Sequence, residues 1–241
     1  MTGDRRNAFS LEGEIALVTG ATHGIGRACA IALGNAGAAV ALGCRDIETG
    51  TALANDMQAL GIRTIAVRMD MLALDSISDA VSTVEAELGP LSIPVNNAGH
   101  SRPAPALDVN AADYDSMFDL NVKGAFFASQ AAARRMAPRA RGAIVNIASQ
   151  AGLVALDGEP IYCMTKAAMI HMTRCLAVEM GAASSASMRL RRPSRERTAP
   201  RRGSKTTRRS NRFWRESRSG KSASRKISPI PSCSSPPQPR R

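Results

Sequence analysis

Apolar residues in this 241-residue chain fall into short runs that alternate with helix-spaced stripes, and the alternation persists as far as Gly181. The stretch EIALVTG is an apolar run closed by a glycine turn, which predicts a buried strand. GIGRACAIALGNAG follows, with Ile25, Cys29, Ala32 and Leu33 at helical spacing and Gly37 as a stop signal. AAVALGC predicts a second strand, ETGTALANDMQALG a helix ending at Gly61, and RTIAVRMD a third strand. DSISDAVSTVEAELG then reads as a helix and IPVNNAG as the next strand. YDSMFDLNVKGAFFASQAAARRM predicts one long helix and GAIVNIAS a strand. IYCMTKAAMIHMTRCLAVEM predicts a helix with Ile170, Thr173, Ala177 and Met180 along one stripe. Such alternation predicts an α/β domain on a parallel sheet covered on both faces.

After Gly181 the periodicity stops and Arg, Ser and Pro take over. The charge changes at the same place. Residues 1–183 hold 14 Lys+Arg against 18 Asp+Glu, whereas residues 184–241 hold 18 against 2, so the net charge of +12 belongs to the last segment. Two regions are therefore expected: an α/β domain over 1–183 and a basic tail over 184–241. Few aliphatic residues in the tail predict disorder, because too little apolar area is available to offset the ordering entropy. The abrupt switch reads as a shifted reading frame in a GC-rich gene. A second reading is an arm that binds nucleic acid by neutralising phosphates. Phe213 and Trp214 offer little aromatic surface for base stacking, so nucleic acid is the less favoured partner.

Five cysteines without any CxxC spacing suggest neither a disulfide framework nor a metal site. MTGDRRNAFSLEGE carries no apolar stretch, and no run approaches the ~20 apolar residues of a spanning helix. The expectation is a cytoplasmic protein with no membrane association.

The turn TGATHGIG places Gly20, Gly24 and Gly26 between the first strand and the first helix. One glycine permits a tight turn, the next allows backbone to approach a pyrophosphate, and the helix N-terminus presents N–H donors to it. Cofactor choice is written at the end of the second strand, where an acidic residue would bond a ribose 2′-hydroxyl and an arginine would accommodate a 2′-phosphate. LGCRD puts Arg45 there, with Asp46 one step beyond. Arg45 favours NADP(H), and Asp46 keeps NAD(H) open. His23 could add a donor to the phosphates or be an exposed loop residue without a role.

Tyr162 and Lys166 in IYCMTK lie four apart, so both project from one helix face. An ammonium beside a phenol favours the phenolate, which suits Tyr162 to general acid–base work. Taken with the glycine turn, VNNAG, LNVKG and IVNIAS, all in order, residues 11–181 resemble the short-chain dehydrogenase/reductase family, including its 3-oxoacyl-acyl-carrier-protein reductase-like members. The resemblance implies a Rossmann-type doubly wound parallel sheet and an NAD(P)(H)-dependent oxidoreductase that interconverts a carbonyl and a secondary alcohol. It casts Tyr162 as acid/base and Lys166 as the group that tunes it and holds the nicotinamide ribose. Ser149 would bond the substrate oxygen, and Asn121 would support a proton relay. Cofactor contacts would come from Gly20, Thr22, His23, Gly24, Ile25, Gly26, Arg45, Asp70, Met71, Asn97, Ala98 and Gly99, together with Tyr162 and Lys166. The partner implied is a small carbonyl or alcohol substrate, and assembly as a homodimer or homotetramer is suggested through the two long helices.

Two departures from the family stand out. Pro94 occupies an interior strand, where it forfeits a ladder hydrogen bond, and Ser92 stands where an aspartate is usual. Past LAVEMG the family continues with a strand, a Pro-Gly turn, a mobile helix and a last strand. None is legible here, so the C-terminal strands are expected to be missing. A catalytically inactive cofactor-binding remnant is the alternative function.

Overall fold

The computed structural model describes residues 9–183. The expectations for 184–241, namely a separate tail, its disorder, a shifted frame and a nucleic-acid arm, lie outside the described residues. Five strands form one parallel sheet: β1 (Ile15–Thr19), β2 (Ala39–Cys44), β3 (Thr64–Arg68), β4 (Ile93–Asn96) and β5 (Val145–Asn146). Their order is β3-β2-β1-β4-β5, the doubly wound arrangement expected. Residues alternate between the two faces of each strand, and the two cores follow from that alternation. Ile15, Leu17, Ala41 and Val67 pack against one helical layer, α3 (Leu74–Glu87) and α5 (Ala125–Met136). Val18, Val40, Leu42 and Val95 pack against α1 (Gly24–Asn35) and α2 (Ile47–Ala59) on the other face. Because both faces are covered, β1 and β2 are buried along their whole length.

Pro94 does not break β4. It lies in register with Leu17, and the strand pairs with β1 on one side and β5 on the other. The Ser92 hydroxyl accepts the Ile15 N–H at 3.0 Å, tying the start of β4 to β1. The strand expected over GAIVNIAS is reduced to the two ladder residues of β5. Amides of Ala143 and Ile147 still reach Ser92 and Asn96 carbonyls, but β5 has a strand on one flank only among the described residues. Val145 is accordingly exposed.

The single long helix predicted from YDSMFDLNVKG is also interrupted. It comprises α4 (Ala111–Phe118), a π-helical segment (Asp119–Gly124) and α5. The wide turn brings Gly124 against Met71, where a Cβ would stand 2.6 Å from the Met71 carbonyl oxygen. The last described helix, α6 (Pro160–Ala183), opens on a proline at its first position, where a missing N–H costs nothing. No helix among the described residues is long and apolar enough to cross a membrane.

Candidate active site

Strand order reverses beside β1, and in open α/β sheets ligands bind outside the carboxyl ends of the strands at that switch point. Here the glycine turn leaves β1 and the Asn97–Gly99 turn leaves β4. The two are sewn together. The Thr19 hydroxyl accepts N–H groups from Asn97 and Ala98 at 3.0 Å each. The Asn97 side chain donates to the Thr19 carbonyl at 3.0 Å and to that of Gly20 at 3.1 Å.

Gly20 has φ +62°, a conformation L side chains resist. At Gly26 the constraint is contact, since a Cβ would lie 2.2 Å from the Gly20 carbonyl oxygen. His23 stands at the N-cap of α1 without a side-chain capping bond, and the first turn holds no acid. The helix N–H groups and dipole there face no competing carboxylate, which suits an anionic ligand. The Thr22 hydroxyl meets His23 Nδ1 at 3.0 Å, and Ile25 is exposed beside them. Asp70, two residues beyond β3, accepts the Leu72 N–H through one carboxylate oxygen, while Met71 is buried in the core.

Lys166 is 4% exposed, and its ammonium donates to the Ile147 carbonyl at 2.8 Å. Burial pushes its pKa below the ordinary lysine value. The ammonium sits 5.7 Å from the centre of the Tyr162 ring. The turn after β5 presses on the same helix: a Cβ at Gly152 would stand 2.7 Å from the Lys166 carbonyl. That turn begins at Ser149, whose hydroxyl oxygen accepts the Ala151 N–H at 3.2 Å. Ser149 is thus a turn-forming residue whose own proton has no acceptor among the described residues.

Asn121 lies fully buried in the π-helical segment. Its amide grips the His100 backbone, with Oδ1 accepting the N–H at 2.9 Å and Nδ2 donating to the carbonyl at 2.8 Å. Nδ2 also reaches the Thr165 hydroxyl on α6 at 3.2 Å. Gly99 lies against the same side chain, where a Cβ would come within 2.9 Å of Asn121 Oδ1.

A family model for short chain dehydrogenases matches residues 14–184. The chain belongs to the short-chain dehydrogenase family. It is 39% identical to gluconate 5-dehydrogenase of Gluconobacter oxydans (strain 621H) over 173 residues, which cover 72% of this chain and 68% of that one. It is 34% identical to the 3-oxoacyl-[acyl-carrier-protein] reductase of Aquifex aeolicus (strain VF5) over 173 residues, 71% of this chain and 70% of that one. Among solved structures it superposes on a gluconate 5-dehydrogenase from Burkholderia cenocepacia J2315 in complex with NADP and tartrate. That match has a TM-score of 0.72 and 31% identity, and covers 74% of this chain and 70% of that one. As a short-chain dehydrogenase the protein is an NAD(P)-dependent oxidoreductase acting on alcohol and carbonyl groups.

The residues present in this dehydrogenase fit a dinucleotide. Gly26 lets the start of α1 pack directly against the Gly20 carbonyl, which sets the acid-free first turn of that helix beside the glycine turn. Lys166, with three N–H donors, bonds a single protein acceptor among the described residues. The carboxylate that follows β2 is engaged in a helix cap. Asp46 is the N-cap of α2, and its carboxylate accepts the Glu48 and Thr49 N–H groups and the Thr49 hydroxyl. These bonds hold its pKa below the usual carboxylate range. Arg45 beside it is exposed.

Three residues outside the sequence-predicted set belong to this neighbourhood: Thr19, His100 and Thr165. The position of Thr19 just before the first glycine was a usable signal. Thr165 had none, since its partner Asn121 lies 44 residues away.

Proposed function

We propose that this dehydrogenase uses NADP(H) in preference to NAD(H) to interconvert a secondary alcohol and a carbonyl on a polyhydroxylated, sugar-derived molecule. The observation that carries the reaction is the buried ammonium of Lys166, one helical turn from Tyr162 and without a carboxylate partner among the described residues. The substrate class is supported by the likeness to gluconate 5-dehydrogenases. It is also supported by the polar loop Ser101–Arg102, where Ser101 bonds Glu159 ahead of α6 and Arg102 pairs with Asp113 at 2.9 Å.

When bound, the nicotinamide supplies or accepts the hydride. The proton falls to the chain. In reduction Tyr162 donates its hydroxyl proton to the substrate oxygen, and in oxidation it takes that proton back. Ser149 turns its unengaged proton toward the same oxygen and stabilises charge developing there. Lys166 holds its ammonium beside the Tyr162 ring and would offer its remaining N–H donors to ribose hydroxyls. Asn121 holds the segment through which the proton is relayed. Gly20, Thr22, His23, Gly24 and Ile25 would hold the pyrophosphate at the start of α1, and Gly26 packs that helix against the turn. Asn97, Ala98 and Gly99 would line the cleft with Asp70 at its adenine end, where Met71 would contribute only backbone because its side chain is buried in the core. NADP(H) is favoured because Arg45 can meet a 2′-phosphate while Asp46 is committed to its cap.

The test is absorbance at the reduced-nicotinamide band with NADP+ and, in separate cuvettes, gluconate, threitol and galactitol. Substrate-dependent reduction of NADP+, faster than that of NAD+, is expected. Absence of reduction with every polyol and sugar acid, alongside turnover of an acyl thioester ketone, would overturn the substrate class. No turnover of any carbonyl or alcohol would overturn the activity.

A further inference from the structure

The hydroxyl of Thr165 stands between two parts of the site that no local sequence relation connects. Its proton goes to the Tyr162 carbonyl at 2.8 Å, so its oxygen is left to accept, and it accepts the Asn121 amide at 3.2 Å. Both Thr165 and Asn121 are fully buried, so water cannot replace either bond. Thr165 directly precedes Lys166 and lies three residues after Tyr162, on the same side of α6. Asn121 belongs to the π-helical segment, and its other bonds clamp the His100 backbone. One hydroxyl therefore joins the turn of α6 that carries the acid–base pair to the wide turn that carries the relay residue.

We propose that Thr165 is a positioning residue for the reaction: its hydroxyl locks the Asn121 amide to the Tyr162 turn, so that the π-helical segment and α6 hold one geometry. The proposal rests on the roles given above to Tyr162, Lys166 and Asn121. Thr165 touches neither substrate nor cofactor in this scheme. It acts by fixing where Asn121 and the first turn of α6 stand relative to each other. Orientation errors of that size matter, because small misplacements of reacting groups cost large factors in rate.

The experiment uses the full chain with Thr165→Val, which keeps shape and removes the hydroxyl, and Thr165→Ser, which keeps the hydroxyl. Thr165→Val should lower kcat by about tenfold or more, with the NADPH KM within about twofold of wild type, and displace the pH profile of kcat. Thr165→Ser should restore both kcat and the profile. Adding Asn121→Ala to Thr165→Val should cost little more than Asn121→Ala alone, because the two act through one bond. Hydrogen exchange of the Asn121 side-chain amide, followed by NMR, gives a readout independent of turnover: slow in wild type and Thr165→Ser, fast in Thr165→Val. Unchanged kcat in Thr165→Val, equal losses in both variants, or amide exchange unaffected by the hydroxyl would each overturn the proposal. If wild type shows no turnover, the activity proposed above fails, and the exchange measurement alone decides the role of Thr165. Should Thr165→Val fail to fold, wild-type exchange and kcat in Thr165→Ser support the proposal, and losses there overturn it.

Discussion

The hydroxyl of Thr19 accepts two backbone N–H groups at once, those of Asn97 and Ala98, each at 3.0 Å. Thr19 ends β1 and is 1% exposed, so this one oxygen sets how the turn after β4 lies beside the glycine turn. Thr19→Val keeps the shape but leaves both donors without an acceptor. A loss of about 2 kcal/mol is expected, since an unsatisfied buried donor costs about 1–3 kcal/mol, together with weaker NADPH binding. Thr19→Ser should recover most of both, as read by urea unfolding and fluorescence titration.

Lys166 carries a cost to stability that the site requires. Its folded pKa lies below the ordinary lysine value because burial disfavours the charged form. Between the folded and unfolded values the unfolded chain binds more protons, so stability rises with pH through that window. Below the folded pKa the penalty is fully present. Lys166→Met should therefore raise the stability of the cofactor-free protein at neutral pH, flatten the alkaline rise, and abolish turnover. A fall in melting temperature would contradict this.

Asp46 and Arg45 are neighbours with separate tasks. Asp46→Ala should destabilise the protein by removing the cap of α2, while the preference for NADP+ over NAD+ stays as it was. Arg45→Ala should do the reverse, leaving the melting temperature near wild type and lowering that preference by about tenfold or more, in keeping with a lost charge-assisted bond. Ratios of kcat/KM for the two cofactors, measured with the melting curves, separate the two.

His100 marks the acid limit. Burial first, then the Arg102 guanidinium, push its pKa below the usual histidine value, while Asp113 opposes them. The folded state thus resists protonation more than the unfolded chain does. Stability is present above the unfolded value and is lost as pH falls through the folded one. His100→Gln should reduce the loss of stability on acidification below about pH 6.5, as seen in melting temperatures from pH 7 to 5.

How much of this was legible depends on where each signal lay. The strands β1 and β2 were plain because burial on both faces makes them continuous apolar runs, and Gly20 and Gly37 punctuate them. Tyr162 and Lys166 were legible because they sit on one helix at fixed spacing. The π-helical interruption at Asn121 was not, because LNVKG keeps helical composition and the wider turn answers to Met71 and His100, which are far away in sequence. The shortness of β5 was hidden for a related reason: GAIVNIAS has strand character, but the ladder depends on what lies alongside. Asp46 looked like a rival to Arg45 because both are charged at the right place. Its capping role emerges only once α2 is seen to begin at Ile47.

The account as a whole depends on Tyr162 moving the proton. The direct test is Tyr162→Phe, assayed for carbonyl-dependent NADPH oxidation alongside a fluorescence titration of NADPH binding. The expected result is a fall in kcat by about 100-fold or more, the scale of a lost general acid–base, with the NADPH dissociation constant close to wild type. Turnover within a few-fold of wild type would contradict it.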